Sequence, residues 1–226
     1  MRGVCVDALN PKGRPSPLRL ERLYGKIAVR MEMRDHTDFY DYYYSLYGAG
    51  IQVALLVGPS TENVGKIVRA LGQHSPELLI IGNEPDGLGP SSWSMTPVQY
   101  QELWNQAAWA ASIWSDTPLS TAGMLYGPDF LEKCSLHPEP NYVNVHYPSG
   151  SGAITAFGKP AIVGEWCWRT GKAKQIKDWQ AMLNQYTAHS FWFCWSDGMV
   201  PNMGLYDSRD VSKHACYTRY KKALAS

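Results

Sequence analysis

Two glutamates could form a catalytic pair, because each ends an apolar run that is typical of a buried strand. Glu84 follows residues 80–83, and Glu165 follows residues 162–164. Such β-branched runs predict parallel strands that are buried on both faces. A carboxylate at the end of a buried strand costs free energy unless it has a partner or a task. Two of them indicate a site where two carboxylates face each other, the pair that glycoside hydrolysis uses as acid/base and nucleophile.

The elements that would position these glutamates alternate along the whole chain. The apolar runs that predict strands lie at residues 3–8, 26–33, 51–57, 78–82, 119–124, 142–145, 161–164 and 190–194. The amphipathic patterns and helix-start signals predict helices near residues 38–47, 59–73, 98–114, 128–135, 173–187 and 212–224. The stretch 149–158 is too short for much helix.

This alternation predicts an α/β protein with a parallel sheet. Eight strands favour a closed (β/α)₈ TIM barrel, compact and with short loops, near the lower size limit of about 200 residues for that fold. We therefore expect one domain over residues 1–226. A doubly wound open sheet is the structural alternative, but the turn after the first strand, residues 7–13, lacks the glycine-rich phosphate-binding pattern.

Functional groups of such barrels lie at the carboxyl ends of the strands. Five chemically capable residues fall at predicted strand ends: Glu84, His146, Tyr147, Glu165 and Trp195. They follow the fourth, sixth, seventh and eighth predicted strands. The barrel would bring them to one rim although they are far apart in the sequence.

The sequence Asn83-Glu84-Pro85 after the fourth strand, with Glu165 ending the seventh, resembles the retaining (β/α)₈ glycoside hydrolases known as clan A. This resemblance implies that Glu84 is the acid/base and Glu165 the nucleophile of a β-linked glycan hydrolase. It also implies that Asn83 binds the sugar 2-hydroxyl. The retaining outcome comes from the resemblance alone.

The resemblance extends to four further positions. An arginine after the second strand often supports the nucleophile in this clan, and Arg30 or Arg34 could fill that place. His146 and Tyr147 match the polar and aromatic residues that clan members carry on strand six. Trp195 matches a tryptophan that floors the sugar site from strand eight.

The register of the last strand decides which aromatic side chain faces the site. Phe191, Trp192, Phe193 and Trp195 follow one another closely, and successive residues of a strand point to opposite faces. The sequence therefore leaves the in-facing member of this set open.

Composition narrows the function classes. A net charge of +1 argues against nucleic-acid or acidic-membrane partners, and no apolar stretch is long enough to span a bilayer. We expect an oligo- or polysaccharide partner, no cofactor, no metal and a monomer. The N-terminal residues lack a secretory signal pattern, and the five cysteines form an odd set without a Cys-x-x-Cys pair, which predicts thiols in the cytoplasm.

Two other functions stay open at this stage. A catalytically silent carbohydrate-binding barrel would keep aromatic platforms, which the 12% aromatic content could supply, without needing the glutamates. A cell-wall-lytic glycosidase of a phage or prophage, released by lysis, would use the same chemistry on a different substrate.

Overall fold

The computed structural model describes residues 1–25, 27–59, 61–87, 93–158, 160–167, 172–207, 209 and 212–225. Its eight parallel strands close into a barrel in sequence order, which confirms the predicted (β/α)₈ fold. The strands are β1 (Arg2–Cys5), β2 (Ala28–Glu32), β3 (Val53–Val57), β4 (Leu78–Asn83), β5 (Leu119–Met124), β6 (Tyr142–His146), β7 (Ala161–Trp166) and β8 (Thr187–Trp192).

Helices follow most of the strands and surround the barrel. The α-helices are α1 (Pro17–Tyr24), α2 (Thr37–Gly48), α3 (Val64–Leu71), α4 (Pro97–Ala110), α5 (Ser151–Thr155), α6 (Ala173–Tyr186) and α7 (Ala215–Leu224). Two 3₁₀ helices, Ala111–Ile113 and Pro128–Lys133, complete the described helical elements. No helix in the described part of the chain has both the length and the apolar character that a membrane crossing requires.

The clearest differences between the structure and the predicted elements lie at α1 and β8. Helix α1 was not predicted; Pro17 lies in its first turn, where the missing N–H of proline is harmless. Strand β8 runs from Thr187 to Trp192 rather than over 190–194, because α6 ends one residue before it begins. The start predicted for the second strand, Lys26, lies outside the described residues.

The barrel interior is a separate small core. Its buried side chains come from alternate positions of the strands, as a closed sheet requires, and they include Cys5, Ala28, Ala54, Leu56, Leu78, Ile80, Ile162 and Phe191. A larger cluster fills the layer between the strands and the helices. Along β2 the same alternation places Arg30 two residues beyond Ala28, on the interior face.

Strand β7 contains an irregularity that decides which way its last residues point. Its pairing with β6 steps from Val145–Val163 to His146–Glu165, so β7 holds one extra residue there. Simple alternation from the inward Ile162 would turn Glu165 outward and Trp166 inward. The extra residue reverses this order: Glu165 lines the cleft, and Trp166 packs outside the barrel against Trp192.

All five cysteines lie in the described part of the chain, and none forms a disulfide. Cys5, Cys194 and Cys216 are buried. Cys167 is half-buried and directly follows β7.

Candidate active site

A cleft of about 570 Å³ opens at the carboxyl ends of the strands. This volume lies within the range of small-molecule sites, about 300–1,000 Å³. The polar residues along it come from five strands and from the segments that follow them: Asp7, Arg30, Glu32, Arg34, Asn83, Glu84, Tyr147 and Glu165. Apolar side chains, among them Leu125, Phe193, Met199 and Met203, form the rest of its wall.

Glu165 is buried and has two strong partners. Arg30 donates from Nη1 to Oε1 at 2.8 Å, and Tyr147 donates from its hydroxyl to Oε2 at 3.1 Å. Both Arg30 and Glu165 are more than 90% buried, so this ion pair is little screened by solvent. Burial alone would lower the pKa of Arg30, but the charge of Glu165, the neighbouring Cys5 and the hydrogen bonds to both together raise that pKa. Arg30 is therefore a permanent positive charge beside Glu165.

Glu84 has a different environment. Its Oε1 lies 2.9 Å from Nδ1 of the buried His146, and the same nitrogen lies 3.7 Å from Oε2 of Glu165. One ring nitrogen of His146 and one carboxylate oxygen each of Glu84 and Glu165 lie within 4.8 Å of one another. The two carboxyl groups are thus close together but differently partnered, the arrangement that lets two acids play different roles.

Backbone strain occurs at two residues of this group. Glu84 has φ +47° and Tyr147 has φ +44°, values that side-chain-bearing residues rarely adopt. Each is held in place by its amide: Glu84 donates to the carbonyl of Gly123, and Tyr147 donates to the carbonyl of Glu165. Such strain persists where the surroundings fix it, and it is frequent at functional sites.

Gly82 explains why Asn83, the last residue of β4, and Glu84, which follows it, both line the cleft. Its φ of +89° is open to glycine, and a side chain there would meet the ring of Tyr100 at 2.8 Å. The unusual turn interrupts the alternation of the strand, so that Asn83 and Glu84 both face the site.

The imidazole of His146 fits into space that two glycines leave open. A Cβ added to Gly123 would come within 2.0 Å of Nε2 of His146, and one added to Gly164 would come within 2.9 Å. Among the described residues, Nε2 has no hydrogen-bond partner. The ring is therefore positioned by its Nδ1 bond to Glu84 and by close packing against β5 and β7.

We expect Gly123→Ala to lower activity strongly, because the new methyl group would displace His146 from Glu84. Overpacking of this kind costs about 1–3 kcal/mol of folding free energy, so thermal unfolding should be measured beside the rate of glycan cleavage. Gly152→Ala, where a Cβ would meet nothing within 4 Å, is the matched control. Full activity of Gly123→Ala would show that the position of His146 is unimportant.

The hydroxyl of Tyr147 stays protonated throughout the neutral range. Partial burial raises its pKa, and the negative charge of Glu165 raises it further. The phenol is therefore a constant hydrogen-bond donor to Glu165 and not a group that titrates during activity.

We expect Tyr147→Phe to lower kcat by about tenfold, the order of one charge-assisted hydrogen bond. Because the pKa of Tyr147 is raised well above its usual range, the alkaline limb of the pH–activity profile should stay where it is in wild type. An alkaline limb that disappears in the variant would show that Tyr147 itself titrates.

Asn83 and Arg30 contact each other in the cleft, whereas Arg34 has a different partner. Asn83 accepts from Arg30 at 3.0 Å through Oδ1, and its NH₂ group is the donor it can offer a ligand in the cleft. Of the two candidate arginines, Arg30 contacts Glu165, whereas Arg34 pairs with Glu32 at 3.0 Å.

The structure does not bring Trp195 into the cleft. It is fully buried and stacks on Tyr206 at 4.8 Å, with the guanidinium of Arg19 near its ring. Strand β8 ends at Trp192, and the aromatic residue of the segment 191–195 that lines the cleft is Phe193, edge-to-face with Tyr147 at 6.5 Å. The sequence identifies this aromatic set, but it does not determine the register, which decides which member faces the cleft.

Cys5 was missed as a cleft residue because its strand gave no chemical signal. Its thiol lies 3.6 Å from Arg30 and donates to the carbonyl of Gly164. Burial raises the pKa of Cys5 to about 12 in spite of the nearby guanidinium, so it is a neutral thiol at working pH. It lines the site without offering a nucleophile.

The cluster of Glu84, His146 and Glu165 has the donor types that bind a divalent cation. Arg30, however, already occupies Oε1 of Glu165, and its positive charge would oppose a cation beside it. The donor set therefore fits a metal poorly. It fits a reaction in which the two carboxyl groups act directly.

Comparisons with known proteins give matches by structure only. No protein-family model matches the sequence, and no curated protein does either. The barrel is similar to a family GH128 subgroup II endo-β-1,3-glucanase from Sorangium cellulosum, with a TM-score of 0.67 and 17% identity over 98% of each chain.

Two further similar structures differ in their described activities. One is a family GH30 subfamily 8 xylanase from Clostridium acetobutylicum, with a TM-score of 0.64 and 14% identity over 98% of this chain and 70% of that one. The other is a GH128 subgroup VII oligosaccharide-binding protein from Cryptococcus neoformans, with a TM-score of 0.65 and 15% identity over 99% of this chain and 93% of that one. These similarities show that the chain shares the (β/α)₈ fold of these proteins.

Proposed function

We propose that this protein is a retaining glycoside hydrolase that cleaves a β-linked glycan. The observation that carries the proposal is the pair of buried carboxyl groups, of which one oxygen of Glu84 and one of Glu165 lie within 4.8 Å of each other. Retaining enzymes place their carboxyl groups about 5–5.5 Å apart, whereas inverting enzymes need about 6.5–9.5 Å to admit a water molecule. The spacing favours retention.

The partners of the two glutamates support the division of roles. Arg30 and Tyr147 stabilise negative charge on Glu165, which suits a nucleophile. Glu84 shares a hydrogen bond with the imidazole of His146, which suits a group that gives up and regains a proton.

In the proposed first step, Glu165 attacks the anomeric carbon while Glu84 gives its proton to the departing glycosidic oxygen. The bond to the leaving sugar breaks, and a covalent glycosyl-enzyme forms. In the second step, Glu84 takes a proton from water, and the resulting hydroxide displaces Glu165 from the anomeric carbon. Two inversions leave the product with its original β configuration.

The substrate class is a proposal as well. The similar structures include enzymes described as a xylanase and an endo-β-1,3-glucanase, so β-glucan and xylan come first in a panel that also holds mannan, chitin and peptidoglycan. Release of new reducing ends by wild type, and not by Glu165→Gln, would support the hydrolase. Proton NMR of the first product formed should show the β anomer; an α anomer would contradict the retaining mechanism.

A carbohydrate-binding protein is the second candidate, because oligosaccharide-binding proteins are among the similar structures. In that case one glycan of the panel would bind wild type and Glu165→Gln alike, and no reducing ends would appear. Cleavage of peptidoglycan alone would instead favour the cell-wall-lytic alternative. The monomeric state and the cytoplasmic location predicted from the sequence stay predictions.

A further inference from the structure

A second depression, of about 470 Å³, lies beside the cleft on the Glu84 side. Pro85 and Asp86, the two residues after Glu84, form part of its wall, together with the 3₁₀ helix Pro128–Lys133. Tyr126 lines both the cleft and this depression. The two spaces are therefore neighbours across a single aromatic side chain.

Hydrogen bonds to Asp86 fix the backbone at Tyr126. The carboxylate of Asp86 accepts from the backbone N–H of Leu125 at 3.0 Å and from that of Tyr126 at 2.9 Å. The backbone is thus tied to the segment that carries Glu84, while Tyr126 remains 72% exposed. An exposed aromatic residue is ordinary by itself. Tyr126, however, lies where two concave spaces meet, and its fixed backbone reduces the conformational entropy that is lost when a ligand binds.

We infer that Tyr126 and this depression form the subsite for the leaving-group sugar, with the face of a pyranose ring packed on the tyrosine. This rests on the proposed function, because the acid must lie beside the glycosidic oxygen and the departing sugar must therefore extend past Glu84. The C–H face of a sugar ring is apolar and pairs with a flat aromatic surface. Asp129 and Lys133, on the same 3₁₀ helix, are exposed at the rim and offer an acceptor and a donor to its hydroxyls.

The test compares substrates that do and do not fill this subsite. The six-sugar oligosaccharides of β-1,3-glucan, β-1,4-glucan and xylan would fill it, whereas the corresponding two-sugar β-glycosyl fluorides release only fluoride and leave it empty. We expect Tyr126→Ala to lower kcat/KM for the cleaved oligosaccharide by about tenfold, and to change kcat/KM for the matching fluoride by less than twofold. Tyr126→Phe, which keeps the ring, should behave as wild type on both.

Trp109 provides a matched control, since it is 78% exposed on α4 and lines neither the cleft nor the depression. Trp109→Ala should leave kcat/KM unchanged for both the oligosaccharide and the fluoride. Equal losses by Tyr126→Ala on oligosaccharide and fluoride would assign Tyr126 a structural role and overturn the inference, as would no loss on either.

Failure of the proposed function would look different. Wild type would then release neither fluoride nor reducing ends, and the same hexasaccharides would be titrated calorimetrically into wild type and Tyr126→Ala. Weaker binding by the variant would keep Tyr126 as a sugar contact. Equal binding, or no binding by wild type, would overturn the inference in that case too.

Discussion

Glu165→Gln is expected to reduce glycan cleavage by at least about 10⁴-fold, on every substrate and at every pH, because the amide cannot form the glycosyl-enzyme. The fold should survive, since the glutamine keeps an oxygen that can accept from Arg30. The rate of reducing-end release and the thermal unfolding midpoint are measured together. Glu102→Gln, an exposed position on α4, is the matched control and should leave both unchanged.

A chemical rescue separates the role of Glu165 from its mere presence. Glu165→Ala leaves room for a small anion, and added azide should then attack the anomeric carbon directly from the side that the carboxylate occupied. One displacement inverts the carbon, so the expected product is the α-glycosyl azide, identified by NMR. A β-glycosyl azide from this variant would mean that the two glutamates have exchanged roles.

Glu84→Gln is expected to show a loss that depends on the leaving group. On a polysaccharide, whose departing sugar needs a proton, the rate should fall by about 10²–10⁴-fold, the usual contribution of a positioned acid/base. On a dinitrophenyl β-glycoside the first step needs no proton, so it should be nearly as fast as in wild type. The second step lacks its base, and glycosyl-enzyme should accumulate as an added mass on the intact protein.

Azide is expected to give the opposite anomer when Glu84 instead of Glu165 is replaced. In Glu84→Ala the covalent intermediate still forms on Glu165, and azide displaces it in a second inversion. The product should therefore be the β-glycosyl azide. Losses by Glu84→Gln that are the same for good and poor leaving groups would contradict its assignment as the acid.

The fold and the glutamate pair were open to prediction because they depend on local patterns. A β-branched run predicts a strand wherever it stands, and the position of Glu84 and Glu165 at the ends of such runs follows from the same pattern. Once the strands close into a barrel, the rim residues converge by geometry. The contacts of Arg30 and Tyr147 with Glu165 depend on that convergence and also on the extra residue in β7, which local patterns do not show.

Trp195 could not be placed because its position depends on register, which propensity does not determine. Strand β8 ends at Trp192, before the end of its hydrophobic run, so the strand alternation does not extend to Trp195; Phe193 lies at the cleft and Trp195 in the layer behind it. The role of Gly123 was hidden for another reason. A glycine in a strand shows only that a side chain is missing. The residue that fills the space at Gly123 is His146, which lies on the neighbouring strand.

The extra residue in β7 has a consequence for how this site can change over evolutionary time. Glu165 and Trp166 are adjacent, one lining the cleft and one packed behind the barrel, and the step in the pairing with β6 decides which is which. If the same residues paired with β6 without that step, an indole would stand where the carboxylate now stands. Deleting the extra residue would instead make the pairing regular and keep the glutamate opposite His146. The number of residues in this strand and the step in its register can therefore change only together if the carboxylate is to stay in the cleft.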